Sequence, residues 1–213
     1  MVAIKNTRRN KLVIERFIKR MMDVALSSII LLAISPLLVM IALLILLLDG
    51  KPIFFRQKRV GQFEQEYTMW KFRSMTNRHH LNKPRYTWND HVPEDFVFKS
   101  ASGDRVTPIG RILRKYSLDE LPQFVHVLFG QMSIVGPRPE VPEITKFYNE
   151  SQRRRLRVKP GITGFAQVNG RSSISHGEKI QFDNQYVDKQ TFGMDVRIIL
   201  KTVLVVVSGK GSY

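Results

Sequence analysis

The chain has 213 residues, 34 Lys and Arg against 18 Asp and Glu, a formal net charge of +16, and no cysteine. One domain with a sizeable core is the default at this length, and the charge calls for an anionic partner: a membrane surface, nucleic acid or a phosphorylated substrate. Disulfides and thiolate metal sites are excluded.

The N-terminus is basic, with Lys5, Arg8, Arg9, Lys11, Arg16, Lys19 and Arg20. It leads into residues 24–48, which carry no charged side chain. As a straight helix they reach roughly 37 Å, against a bilayer core of about 30 Å. The run is too long for a signal-peptide core and is expected to be retained. Ser35-Pro36 interrupts it near the middle, and proline removes a backbone donor and clashes one turn back. Lys51, Arg56, Lys58, Arg59, Lys71 and Arg73 follow. Both flanks are basic, and the positive-inside rule draws each to the cytoplasmic side. A kinked spanning helix and a re-entrant helix leaving by the face it entered are both compatible with these residues.

Asp49-Gly50-Lys51-Pro52 reads as a turn out of the membrane. Residues 53–59 and 67–72 are aromatic-rich and predict two strands joined through Val60-Gly61. Residues 76–103 are polar, with Pro84 and Pro93, and read as a surface excursion. Of the five histidines, only the adjacent His79-His80 pair comes near a ligand spacing, so satisfied or solvent-facing histidines are expected rather than zinc ligands. No glycine-rich dinucleotide or P-loop motif is present.

Ser117-Leu118-Asp119-Glu120-Leu121-Pro122-Gln123 is the densest chemical signal. Ser117 with Glu120 fits a capping box that opens a helix through Val125 and Leu128. Two adjacent acids, with Arg111, Arg114 and Lys115 before them and Arg138 after, also suit a divalent metal or attack on phosphorus. The readings are compatible, because a helix N-terminus attracts phosphate. Gly136-Pro137-Arg138-Pro139-Glu140 cannot be a regular helix. A rigid loop there can aim the Arg138 guanidinium at a diphosphate, or hold it in a structural ion pair. Arg153-Arg154-Arg155-Leu156-Arg157 reads as a solvated helix face. Residues 194–207 have helical apolar spacing and suit an interfacial or a core helix.

Several motifs stand in a fixed order. They are Lys19-Arg20-x-x-Asp23 with Ser35-Pro36, Lys71-Phe72-Arg73-Ser74-Met75, Asp104-Arg105-x-Thr107, Gly110-Arg111-x-Leu113-Arg114 and the Asp119 block. Val135-Gly136-Pro137-Arg138-Pro139-Glu140, Lys159-Pro160-Gly161-Ile162-Thr163-Gly164 and Ala166-Gln167-Val168-Asn169-Gly170-Arg171 complete the series. Together, from about Lys19 to about Val207, they resemble the bacterial sugar transferase family, the monotopic phosphoglycosyl transferases.

The resemblance implies transfer of a sugar-1-phosphate from a nucleotide diphosphosugar, with uridine the expected nucleotide, to polyprenyl phosphate. Asp119 would be the nucleophile, carrying a covalent phosphosugar, and Glu120 a ligand of Mg²⁺. Arg114, Arg138, Lys71 and Arg73 would bind substrate phosphate, with Pro137, Pro139 and Glu140 in the nucleotide pocket. Asp183, Tyr186 and Asp195 also match residue types of the family, either at the site or ordering helix junctions.

The expected fold is α+β and mainly helical. Residues 1–49 would form a basic N-terminus and a re-entrant membrane helix broken at Ser35-Pro36. Residues 50–213 would form one cytosol-facing catalytic unit with a small β-hairpin and amphipathic interfacial helices. Localisation is expected at the bacterial inner membrane, in the family's short form, with no nucleic-acid partner and with a homo-oligomer allowed.

Three positions depart from the family pattern: His126 for a usual asparagine, and Glu64 and Lys51 for common glycines. A second function class, a non-catalytic membrane-anchored basic module for nucleic acid or anionic lipid, accounts for the charge. It gives no reason for Asp119-Glu120 beside Arg114.

Overall fold

A computed structural model describes residues 2–76, 86–88, 91–97, 106–170 and 174–208. Asp104-Arg105, Arg171, the His79-His80 pair and part of the 76–103 excursion lie outside the described residues.

The chain opens with a single 47-residue helix, α1 (Val2–Leu48), with Pro36 inside it. Its stretch Ile14–Leu48 has the length and composition of a membrane-crossing helix. The expected break at Ser35-Pro36 does not end the helix. Pro36 has no N–H for the carbonyl of Leu32, one turn back. The Ser35 hydroxyl donates to that same carbonyl at 2.9 Å and replaces the missing bond.

Two stretches of α1 pack on the rest of the protein. Near its start, Lys19 pairs with Asp195 at 2.6 Å, and Arg20 donates to the carbonyls of Val127 and Leu128 at 2.6 and 2.8 Å. Asp23 is buried and accepts from the Ser133 hydroxyl and the Ile134 N–H. Near its end, Ile41 and Ile45 are buried in a cluster with Phe72, Ile109 and Leu113. No residue between Ser27 and Ile41 is buried.

Strands β1 (Phe54–Val60) and β2 (Glu66–Phe72) form the predicted antiparallel hairpin, with Val60 opposite Glu66. In the connecting turn Glu64 takes a left-handed backbone (φ 64) and pairs with Arg153 at 2.5 Å. A glycine adopts that backbone freely, which accounts for the glycine common there in the family.

The described part of the 76–103 segment is not a bare surface excursion. Val92 is fully buried, and Tyr86, Trp88 and Phe96 pack with Val60, Val141, Ile144 and Tyr148. The cause is aromatic area: Trp88 meets Tyr86, Phe96 and Phe147 at ring distances of 4.6, 4.9 and 5.4 Å.

Helix α2 (Pro108–Lys115) starts with Thr107 accepting from the Gly110 N–H and Pro108 in the first turn. A 3₁₀ turn (Leu118–Glu120) and α3 (Gln123–Leu128) follow. Strand β3 (Ser133–Val135) pairs in parallel with β4 (Gly161–Thr163). Between them lie short α4 (Pro142–Thr145) and α5 (Glu150–Arg153), and a 3₁₀ turn (Arg154–Arg157). The chain continues through α6 (Phe165–Asn169), α7 (His176–Lys189) and α8 (Phe192–Ser208). The fold is thus mainly helical with a small hairpin. One side of α8 buries Asp195 and Ile198, while Phe192, Val196, Leu200, Val203 and Leu204 are exposed.

Candidate active site

The two acids sit where α2 turns into α3. Ser117 takes a left-handed backbone (φ 55) and reverses the chain into the 3₁₀ turn that carries Asp119 and Glu120. The expected capping box is not formed. Ser117 makes no side-chain cap, and the Glu120 side chain is engaged elsewhere. A non-glycine residue in this conformation costs about 1 kcal/mol or more, and such positions cluster at functional sites.

Glu120 Oε1 accepts from Lys71 Nζ at 2.6 Å and from Arg138 Nη2 at 2.5 Å. Arg138 Nη1 reaches Oε2 at 3.3 Å. Lys71 stands at the end of β2, held beside the turn by the hairpin. Arg138 comes from the loop after β3, and three glycines fix that loop. A Cβ on Gly136 would lie 2.3 Å from the Lys159 carbonyl, and on Gly161 or Gly164 it would lie 2.1 Å from Gly136 backbone atoms. Only hydrogen fits at these crossings, so the β3 and β4 chains press together and fix where the loop begins.

Two guanidiniums, Arg155 buried and Arg59 half-buried, hold the loop from behind. Arg155 Nη2 donates to the Arg138 carbonyl at 2.7 Å, and Arg59 Nη1 donates to the Pro139 carbonyl at 3.0 Å. Arg155 also pairs with Asp183 at 2.7 Å and donates to the Tyr148 hydroxyl.

The electrostatics separate the two acids. Burial alone would raise the Glu120 carboxyl, but Arg138 and Lys71 override it and hold it well below the usual range. Burial and then the charge of Glu120 push Asp119 up to about 6, against the pull of Lys71, Arg138 and Arg114. Among the described residues Asp119 makes no direct ion pair, whereas Glu120 makes two. Burial works against the charge on Lys71, while Glu120 sustains it on Lys71 and Arg138.

The other expected site residues are distributed as follows. Arg114 is half-buried on α2, near enough to act on the Asp119 charge. Arg73 is buried and donates to the carbonyls of Asp49, Gly50 and Lys51, so it fastens the exit of α1 instead of joining the cluster. Pro137 and Pro139 border a cavity of only ≈ 10 Å³. Glu140 points inward, pairing with Lys179 at 2.7 Å and lying 3.8 Å from both Arg59 and Arg155. Burial raises its carboxyl, but Lys179, Arg155 and Arg59 bring it down to about 2.

The 153–157 run is not a solvated face. Arg155 is 1 % exposed, and Arg153 and Arg154 pair with Glu64 and Asp188. Asp183, Tyr186 and Asp195 order junctions: the Tyr186 hydroxyl donates to Asp195 at 2.8 Å. His126 is a satisfied core histidine, accepting from the Trp70 N–H and bonding Gln131. Sequence reasoning missed the roles of Arg59, Arg155 and Lys179. Their only local signal is charge, and their partners lie 39 to 80 residues away for Lys179–Glu140 and Arg59–Pro139. Among the described residues no group of three or more His, Cys, Asp and Glu could hold a metal.

Residues 14–209 match the bacterial sugar transferase family. The chain is 38% identical over 194 residues to the uncharacterized sugar transferase EpsL of Bacillus subtilis, covering 91% of this chain and 89% of that protein. It is 36% identical to the exopolysaccharide production protein ExoY of Rhizobium meliloti, covering 92% and 88%. It is 40% identical to the UDP-glucose:undecaprenyl-phosphate glucose-1-phosphate transferase of Escherichia coli, covering 94% of this chain but 42% of that protein. The chain belongs to the bacterial sugar transferase family.

Proposed function

We propose that this chain transfers a sugar-1-phosphate from a UDP-sugar to undecaprenyl phosphate and releases UMP, at the cytoplasmic face of the bacterial inner membrane. One observation carries the mechanism: Glu120 is committed to Lys71 and Arg138, while its neighbour Asp119 is left without an ion pair among the described residues. A carboxylate locked by two cations is a poor nucleophile. One whose pKa is raised to about 6 is largely ionised at neutral pH and more basic than usual.

An ionised Asp119 oxygen attacks the sugar-bearing phosphorus. The new O–P bond forms as the bond to the nucleoside monophosphate breaks, and UMP leaves with the electron pair. The resulting acyl phosphate is activated. A lipid phosphate oxygen then attacks the same phosphorus, the Asp119–phosphorus bond breaks, and the carboxylate is restored. Lys71, Arg138 and Arg114 offset the anionic charge that otherwise keeps carboxylate and diphosphate apart. Arg138 is the more open of the first two, at 39% side-chain exposure against 15%.

Mg²⁺ is the expected ion, since it takes as few as one or two carboxylates and completes its shell with phosphate and water. Glu120 Oε2, with its longer 3.3 Å contact, would be the carboxylate that holds the ion. When bound it would neutralise phosphate charge.

The membrane helix is read as re-entrant. Asp23 and Ile41 both pack on the soluble part, and the unburied stretch between them contains Ser35 and Pro36. A bend there puts both basic flanks on one face and holds the dyad at headgroup level. The product, a polyprenyl diphosphate sugar, would begin an exopolysaccharide, capsule or glycoconjugate.

The test is incubation of purified protein with undecaprenyl phosphate and a panel of nucleotide sugars. UMP should appear in step with a lipid-linked sugar, stop with excess chelator and resume with Mg²⁺. No release from any UDP-sugar would overturn the reading, and full turnover in chelator would overturn its metal component.

A further inference from the structure

Helix α2 touches both the membrane helix and the acid pair, and its surface is graded. Ile109 and Leu113 are buried against Ile41 and Ile45 of α1. Ile112 and Tyr116, one turn apart, are exposed at 58% and 40%. Arg111 and Lys115, also one turn apart, are exposed beside them. The Lys115 ammonium stands 5.3 Å from the centre of the Tyr116 ring. Arg114, on the next face, acts on Asp119. Going round α2, the surface therefore passes from the membrane helix to an open apolar stripe, then to open cations, then to the candidate nucleophile's arginine.

That order matches one ligand: an anionic phosphate on a long apolar chain. Resting on the function proposed above, we infer that the outer face of α2 docks the polyprenyl phosphate acceptor. Ile112 and Tyr116 lie along the first isoprene units. Arg111 and Lys115 take the phosphate from the headgroup layer and pass it toward Arg114 and Asp119. Two observations favour the acceptor over bulk phospholipid. The apolar stripe is only two residues long, too small for an anchor beside α1. The cations also lead inward to the dyad instead of spreading along the surface.

The experiment compares the full chain with Arg111→Gln/Lys115→Gln and Ile112→Ser/Tyr116→Ser. Steady-state turnover is measured against undecaprenyl phosphate and against a short prenyl phosphate. UMP released before lipid is added, and flotation on vesicles of anionic phospholipid, are measured in parallel. The charge variant should raise the KM for both acceptors about tenfold or more. The apolar variant should raise it for the long acceptor alone. Donor KM, lipid-free UMP release and vesicle flotation should stay at the parent's values in both. Unchanged acceptor KM overturns the dock, as does a loss seen only in vesicle binding, which would assign the face to bulk phospholipid. Wild-type protein that turns over no UDP-sugar would overturn the underlying function instead.

Discussion

At the scale of single residues, Asp119 and Glu120 are neighbours in sequence and opposites in chemistry. In the proposed mechanism Asp119 must be ionised to attack, and its carboxyl is pushed up to about 6 by burial and by Glu120. Below that pH the group is protonated and inert. The kcat/KM for the UDP-sugar should therefore rise with pH, level off above about 6, and fall about tenfold per unit below it. Glu120→Gln should act in two ways. It removes the partner of Lys71 and Arg138, so turnover should fall about a hundredfold or more. It also removes the negative charge that raises Asp119, so the acid limb of the pH profile should move to lower pH. A pH–rate profile of both proteins checks this, and an unmoved limb would separate Asp119 from the titration.

At the scale of elements, the loop carrying Arg138 owes its place to parts that do no chemistry. Gly136→Ala would force a methyl to 2.3 Å from the Lys159 carbonyl. It should cost about 1–3 kcal/mol and lower turnover by displacing Arg138, read as a lower Tm and a lower kcat/KM. Arg155→Met removes the partner of buried Asp183 and the grip on the Arg138 carbonyl. It should cost about 3–5 kcal/mol in thermal or denaturant unfolding. The hairpin was legible because aromatic-rich runs and a glycine turn are local signals. The loop was legible because two prolines forbid a helix. The buried role of Arg155 was not, since four arginines in five residues look alike in sequence. Ser117 was misread for a related reason: Ser-x-x-Glu is a capping pattern only when the glutamate is free, and Lys71 and Arg138 claim it here. The aromatic packing of Trp88 and Phe96 was hidden by the polar residues around them.

At the scale of the whole molecule, a long apolar helix packs against the unit that carries the dyad. Basic flanks and a mid-run proline were visible in the sequence. The Ser35 bond that keeps α1 helical through Pro36 was not, because it depends on which carbonyl the proline leaves free. The chain has no cysteine, so single cysteines at Lys11 and Arg56 can report topology in intact cells. Both should be shielded from an impermeant thiol reagent applied outside. Labelling of one alone would mean a spanning helix. Replacing Ser35 and Pro36 together by Leu should favour that spanning form. The central claim is that the enzyme itself carries the phosphosugar between its two substrates. Intact-mass analysis of the purified protein with a UDP-sugar and no lipid tests it most directly. The wild type should gain the mass of one sugar phosphate and release about one UMP per chain, and Asp119→Asn should do neither. UMP that appears only when lipid is also present, or near-normal turnover in Asp119→Asn, would contradict the account and favour direct displacement.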